Sequence, residues 1–239
     1  MPNHVTTRCV VTGSDENIKQ FRDKAFLIKE KVMTFDFNSF IPMPPAVAET
    51  QSSTIAEEGA ALVSLTQGRS PLRLTAFSGR YSDDTQLRPA RITHMRETLN
   101  MPEAPPAELA KAWLEENPEY RIEGEKRLRA VAETGFADWY DWSCRHWNTK
   151  WNAYGLHIVS ESPLEFTFDT AWDFPLPVFR KIAQEFPALS FRCDCYDEGG
   201  CFAGHGFFNP PKGKTEFATC TATEELYERV YGHPPENDD

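Results

Sequence analysis

Apolar and polar positions alternate in the first residues of the chain. His4 to Thr12 reads HVTTRCVVT, with Val5, Val10 and Val11 as the apolar members of a β-type run. Gly13 and Ser14 break it. Ser14 can cap a helix whose first turn holds Asp15 and Glu16. Ile18, Phe21, Ala25 and Ile28 then recur at helical spacing, which predicts a helix reaching Ile28. Phe35 to Pro45, FDFNSFIPMPP, predicts a short extended segment ended by prolines.

From there to about residue 138 the pattern becomes helical and Pro-broken. Helices are predicted for Ile55 to Thr66, Arg91 to Asn100, Ala107 to Asn117 and Glu119 to Thr134. Leu72, Leu74 and Phe77 are compatible with a short strand.

Alternation returns after residue 150. Lys150 to Val159 and Leu164 to Phe168 predict two strands around the turn Ser160 to Pro163. A helix follows from about Leu176 to Phe186, with Pro175 or Pro177 in its first turn and Pro187 at its end. Ser190 to Asp197 and Cys201 to Phe208 predict a second hairpin about Glu198-Gly199-Gly200. Thr223 to Tyr231 predicts a terminal helix, followed by an acidic tail. The outer segments thus read β-α, a long excursion, then β-β-α-β and one more strand. This is an α+β arrangement of the ferredoxin-like, split βαβ kind, with an antiparallel sheet and two helices on one face. The expected division is a core of residues 1–45 and 139–220, a helical insertion of residues 46–138, and residues 221–239 as terminal helix and tail.

Between insertion and core lies WYDWSCRHWNTKWNAY, residues 139–154, with four of the six tryptophans. Phe136, Tyr140, Cys144 and Trp147 share one helical face, and Asn148 is a suitable stop because Asn tolerates a left-handed backbone. Trp139 and Trp142 fall off that face and are candidates for a partner surface. Trp147 and Trp151 are expected to be buried where the inserted helices meet the sheet. Lys150 stands between them, suited to a cation–π contact or to an anion.

Charge narrows the functional classes. The chain carries −11, and residues 136–239 hold 8 Lys and Arg against 17 Asp and Glu, or −9. That balance argues against general binding of phosphate backbones, duplex DNA included. It favours a basic partner or simple solubility. Glu224, Glu225 and Glu228 on the terminal helix are candidates for such a contact. No apolar run is long enough to span a membrane. The N-terminus lacks the pattern of a secretory signal, so the cytoplasm of a bacterial host cell is the expected compartment.

Six cysteines are few for 239 residues and are expected to be free thiols. Cys193-x-Cys195-x5-Cys201, with His205 nearby, is the one candidate metal set. Against it, Phe191, Cys193 and Cys195 share one strand face, where Cys serves as a small hydrophobe. No cofactor is expected. Asp169, Asp173, Asp197 and Glu198 cluster near turns, but spacing alone pairs none of them for acid–base work. Cys144 and His146 point apart on a helix, and no nucleophile elbow or phosphate loop occurs.

NHVTTRCVVTG, FDFNSFIPMPP, WNTKWNAYG, FTFDTAWDFPLPVFRKIAQEFP and YDEGG, in that order, resemble the YubB-like family of enterobacterial plasmid and phage proteins. The resemblance covers residues 1–45 and 139–208. The family's aromatic motif is Asn-Trp-Gly-Thr-Lys-Trp, where this chain has His146 and Asn148 in place of the Asn and Gly. The resemblance implies a C-terminal ferredoxin-like domain and an accessory role in a mobile element, and it carries over no catalytic residue. The reading is a non-enzymatic protein that binds a host protein, with inhibition of host defence as the role that setting suggests. The alternatives are single-stranded nucleic-acid binding by aromatics on the sheet and a metal-dependent enzyme.

Overall fold

The computed structural model describes residues 3–69 and 89–235. The chain divides into two compact units, residues 1–42 with 143–239, and residues 43–142. The first unit opens with β1 (His4–Thr12), α1 (Asp15–Ala25), β2 (Phe26–Lys29) and β3 (Val32–Phe35). The second holds α2 (Pro45–Ala48), α3 (Thr54–Thr66), α4 (Pro89–Thr98), α5 (Pro106–Glu116) and α6 (Pro118–Thr134). The division falls inside α7 (Trp139–His146). The first unit then resumes with β4 (Tyr154–Glu161), β5 (Leu164–Ala171), α8 (Leu176–Glu185), β6 (Ser190–Asp197), β7 (Ala203–Phe208), β8 (Glu216–Cys220) and α9 (Glu224–Tyr231). Leu72, Leu74 and Phe77 lie outside the described residues, as does the tail from residue 236.

Six strands form one sheet in the order β4-β5-β1-β6-β7-β8, every neighbouring pair antiparallel. Its first four strands, with α1 and α8, make the ferredoxin-like β-α-β-β-α-β unit. Alternation along β1 decides the faces. Val5, Thr7, Cys9 and Val11 are buried. They stand opposite Phe166 and Phe168 on β5 and Phe191, Cys193 and Cys195 on β6. Both helices cover this face. Phe21 of α1 lies 5.3 Å from the Phe191 ring, and Phe179 of α8 lies 6.0 Å from Phe168 and 5.4 Å from Phe208. Ser14 caps α1 by accepting from the Asn17 amide.

Two parts of this unit depart from the sequence reading. α1 ends at Ala25, and Ile28, assigned to its buried face, is 74% exposed on β2. The chain turns because Phe26 sends its ring among Phe21, Phe35 and Phe166, which an extended backbone allows. Glu30 and Lys31, both at positive φ, close the hairpin to β3. The second is β8, which extends the sheet beyond the expected hairpin. α9 belongs to the sheet unit, setting Leu226 and Val230 on Ala203 across the outer face.

In the helical unit, Leu62, Val63, Met95, Leu109, Ala110, Trp113 and Leu114 form the core. α3 and α6 cross with their backbones touching. A Cβ on Gly59 would sit 2.0 Å from the Tyr120 carbonyl oxygen, and one on Gly124 2.3 Å from the Gly59 carbonyl carbon, so only glycine fits at either position. Arg127 is buried against Asp138 at 2.8 Å.

Candidate functional site

One end of the sheet gathers the start of β1, the start of β4, the end of β5 and the end of β6. Two loops meet there. Residues 147–153 form the first, and it is pinned from below. Trp147 is buried, donates from Nε1 to the Ile41 carbonyl at 2.9 Å and packs edge-on against Phe37 at 5.8 Å. Asn152 accepts from the Phe37 amide and donates to Asp36 Oδ1. Burial alone would raise the Asp36 carboxyl, but hydrogen bonds from Lys29, Asn152 and Asn38 outweigh it and hold the group below its usual range. Ser143 Oγ donates to the Lys150 carbonyl, and Thr149 Oγ1 to the Trp151 carbonyl. Asn148 takes the left-handed backbone expected of it, at φ 65°, and donates to the Phe174 carbonyl of the second loop.

That second loop follows β5. Trp172 stands at φ 79° with 37% of its surface exposed, and its amide donates to the Asn3 carbonyl at 3.0 Å. A bulky residue at positive φ is an outlier that costs about 1–3 kcal/mol and persists only where its surroundings hold it. Here they do. Thr170 Oγ1 donates to the Asp173 carbonyl, Asp173 accepts from the Phe174 amide, and the Phe174 ring stacks on Phe217 at 4.3 Å. Lys150 Nζ sits 4.8 Å from the Trp151 ring centre and 5.2 Å from that of Trp172. The ammonium thus joins the two loops, and Trp151, expected to be buried, is only half-buried.

At the same end of the sheet a polar cluster crosses the outer face. Tyr154 Oη and His4 Nδ1 are 2.6 Å apart, Thr6 Oγ1 donates to Asp169 Oδ1 at 2.7 Å, and the His4 amide donates to Glu198 at 2.9 Å. Gly155, at φ 63°, leaves room for Asp169, whose Oδ2 would lie 2.5 Å from a Cβ there. Burial, with Asp169 and Glu198 nearby, pushes the Tyr154 hydroxyl up to about 12. Burial also raises the Asp169 carboxyl against the pull of Thr6 and His4.

The residues named from sequence separate into groups. Lys150 lies in the site. Trp142 does not: it is 4% exposed and so offers a partner almost no surface. Trp139 is half-buried, donates from its amide to Thr50 Oγ1 and packs on Tyr140. Glu224, Glu225 and Glu228 are exposed on α9, with Glu225 paired to Arg229 at 3.0 Å. Cys193 and Cys195 face the core, the first 3.5 Å from the Cys9 sulfur, and burial raises both thiols. Cys201 is exposed in the turn after β6, and His205 is exposed on the other side of the sheet. The four do not converge, and no metal-holding group occurs among the described residues. On the outer face Tyr196, Tyr227 and Tyr231 pack on one another. Trp172, His4 and Tyr154 were missed as functional candidates. Their contacts form only when strand ends 150 residues apart meet.

These strands and helices define a protein with a ferredoxin-like domain. Residues 146–228 match the family described as the ferredoxin-like domain in Api92-like protein. The crystal structure of a protein Api92 from Yersinia pseudotuberculosis is similar at a TM-score of 0.38 and 9% identity, covering 91% of this chain and 98% of that one. No curated protein matches the sequence. Among the described residues no helix is long and apolar enough to cross a membrane.

Proposed function

We propose that the chain is a non-enzymatic binding protein that engages a protein partner with a basic surface through the sheet end carrying Trp172. The observation behind the proposal is the exposed, positive-φ backbone of Trp172, held by Asn3 and capped by Lys150. Strain of this kind at a surface gathers where a ligand is met. The acidic balance of residues 136–239, with Asp169 and Glu198 at the same end of the sheet, favours a cationic partner. The setting in a plasmid or phage, a host protein as the target, and inhibition of host defence as the outcome are supported by the YubB-like motifs alone.

Trp172→Gly separates a binding role from a structural one. Glycine accepts positive φ without strain, so stability should stay within about 1 kcal/mol of the parent. Capture of a Lys- and Arg-rich peptide, followed by calorimetry against a Glu-rich control, should be lost, and in the parent it should weaken with salt. A variant of lowered stability with unchanged peptide capture would make Trp172 a structural residue. Tight binding of single-stranded nucleic acid in a gel shift would instead favour the stacking alternative.

A further inference from the structure

The two edges of the sheet are finished differently. β4 pairs with register shifts between Tyr154 and His157 and between Ile158 and Ser160. Such bulges twist an edge and discourage further pairing. β8 has none of this protection. It pairs with β7 in unbroken register from Ala203↔Cys220 to Phe207↔Glu216, and contains neither Pro nor Gly. It ends the strand order, so its outer edge has no strand beside it among the described residues. Glu216, Ala218, Thr219 and Cys220 are exposed, while Phe217 is anchored by its stack on Phe174.

The flanks of β8 carry opposite charge. Lys212 and Lys214 precede it and Glu224 and Glu225 follow it, all exposed. An antiparallel copy of the same strand therefore brings the basic flank of each chain to the acidic flank of the other, twice. We infer that β8 is the pairing edge of a two-fold symmetric dimer, in which the strand of a second copy of this chain continues the sheet. Residues directly opposite share a face, and a register centred on Ala218 pairs all five positions. Phe217 then faces Thr219 and Glu216 faces the uncharged Cys220, so no like charges meet along the paired strands. Such an isologous contact closes on itself. Five residues a side bury less than the roughly 1,600 Å² of a standard interface, so the dimer should be weak and salt-sensitive.

Sedimentation of the full chain over a concentration series tests this. The parent should shift from monomer to dimer, and added salt should oppose the shift. Thr219→Pro, which removes an edge amide, should leave a monomer. Because that variant could disturb β7, a charge exchange provides the second arm. Lys212→Glu with Lys214→Glu should weaken association about fivefold or more, and adding Glu224→Lys to that pair should recover most of the loss. A parent that stays monomeric at the highest attainable concentration would overturn the inference, as would charge reversal without effect or a loss that the exchange fails to restore.

Discussion

Removing the Trp147 side chain tests what holds the first site loop. Its indole is 3% exposed, meets Phe37 edge-on at 5.8 Å and donates to the Ile41 carbonyl at 2.9 Å. Trp147→Ala deletes the ring and leaves a cavity, a change that costs about 3–5 kcal/mol. Trp147→Phe divides that cost. Most of the apolar burial stays, while the Ile41 carbonyl loses its donor, worth about 1 kcal/mol, and part of the aromatic contact goes, worth about 0.5–1.5 kcal/mol. Urea unfolding followed by circular dichroism reads both changes as shifts in midpoint at constant slope. Pairing each variant with Phe37→Leu isolates the ring contact as a coupling energy. If Trp147→Ala unfolds at the parent's midpoint, the loop is not pinned by this indole, and the account of how Lys150 is positioned fails with it.

Local pattern was enough for much of the fold. Alternation in β1, β5 and β6, the Ser14 cap and the prolines around α8 each point to their element without help from distant residues. Where long-range packing decides, the pattern misleads. Ile28 sits at helical spacing from Phe21 and Ala25, yet the aromatic cluster takes Phe26 and turns the chain outward. The hairpin is closed by Glu30 and Lys31, neither of them a residue that announces positive φ. β8 shows no buried alternation to mark it, because four of its five residues face solvent. The site divides in the same way. Lys150 stood out by its tryptophan neighbours, and Asn148 by its tolerance of a left-handed backbone. Trp172 gave no sign, because its φ is imposed by Asn3 from the other end of the chain.

Two further measurements bear on burial. Cys201 and Cys220 are exposed, whereas Cys9, Cys193 and Cys195 are buried in the core with the last two thiols pushed up. A thiol reagent should therefore label the first two promptly and the other three only on unfolding, since the thiolate is the reactive form. Fast labelling of Cys193 or Cys195 would contradict the assigned face of β6. The other measurement concerns Asp141 in the helical unit. Burial, then Asp138, and also Glu57, raise its carboxyl to about 6 from 3.8 against the pull of Arg127. Its place in the first turn of α7 favours the anion, but that dipole contribution is about 0.3–1 kcal/mol and burial outweighs it. A raised folded value means that the fold prefers the protonated acid. The stabilisation is complete below the ordinary value of 3.8 and is lost as pH rises through about 6. A rise from 3.8 to about 6 corresponds to about 3 kcal/mol, which partial exposure reduces to about 1–2 kcal/mol. Asp141→Asn keeps the shape and removes the titration. Between about pH 3.5 and 6.5 the parent should lose that amount relative to the variant in urea midpoint, and above about pH 6.5 the two profiles should run parallel. Profiles parallel below that point as well would mean that water reaches Asp141 freely, and the buried Arg127–Asp138 pair would then lack the dry surroundings that give it weight.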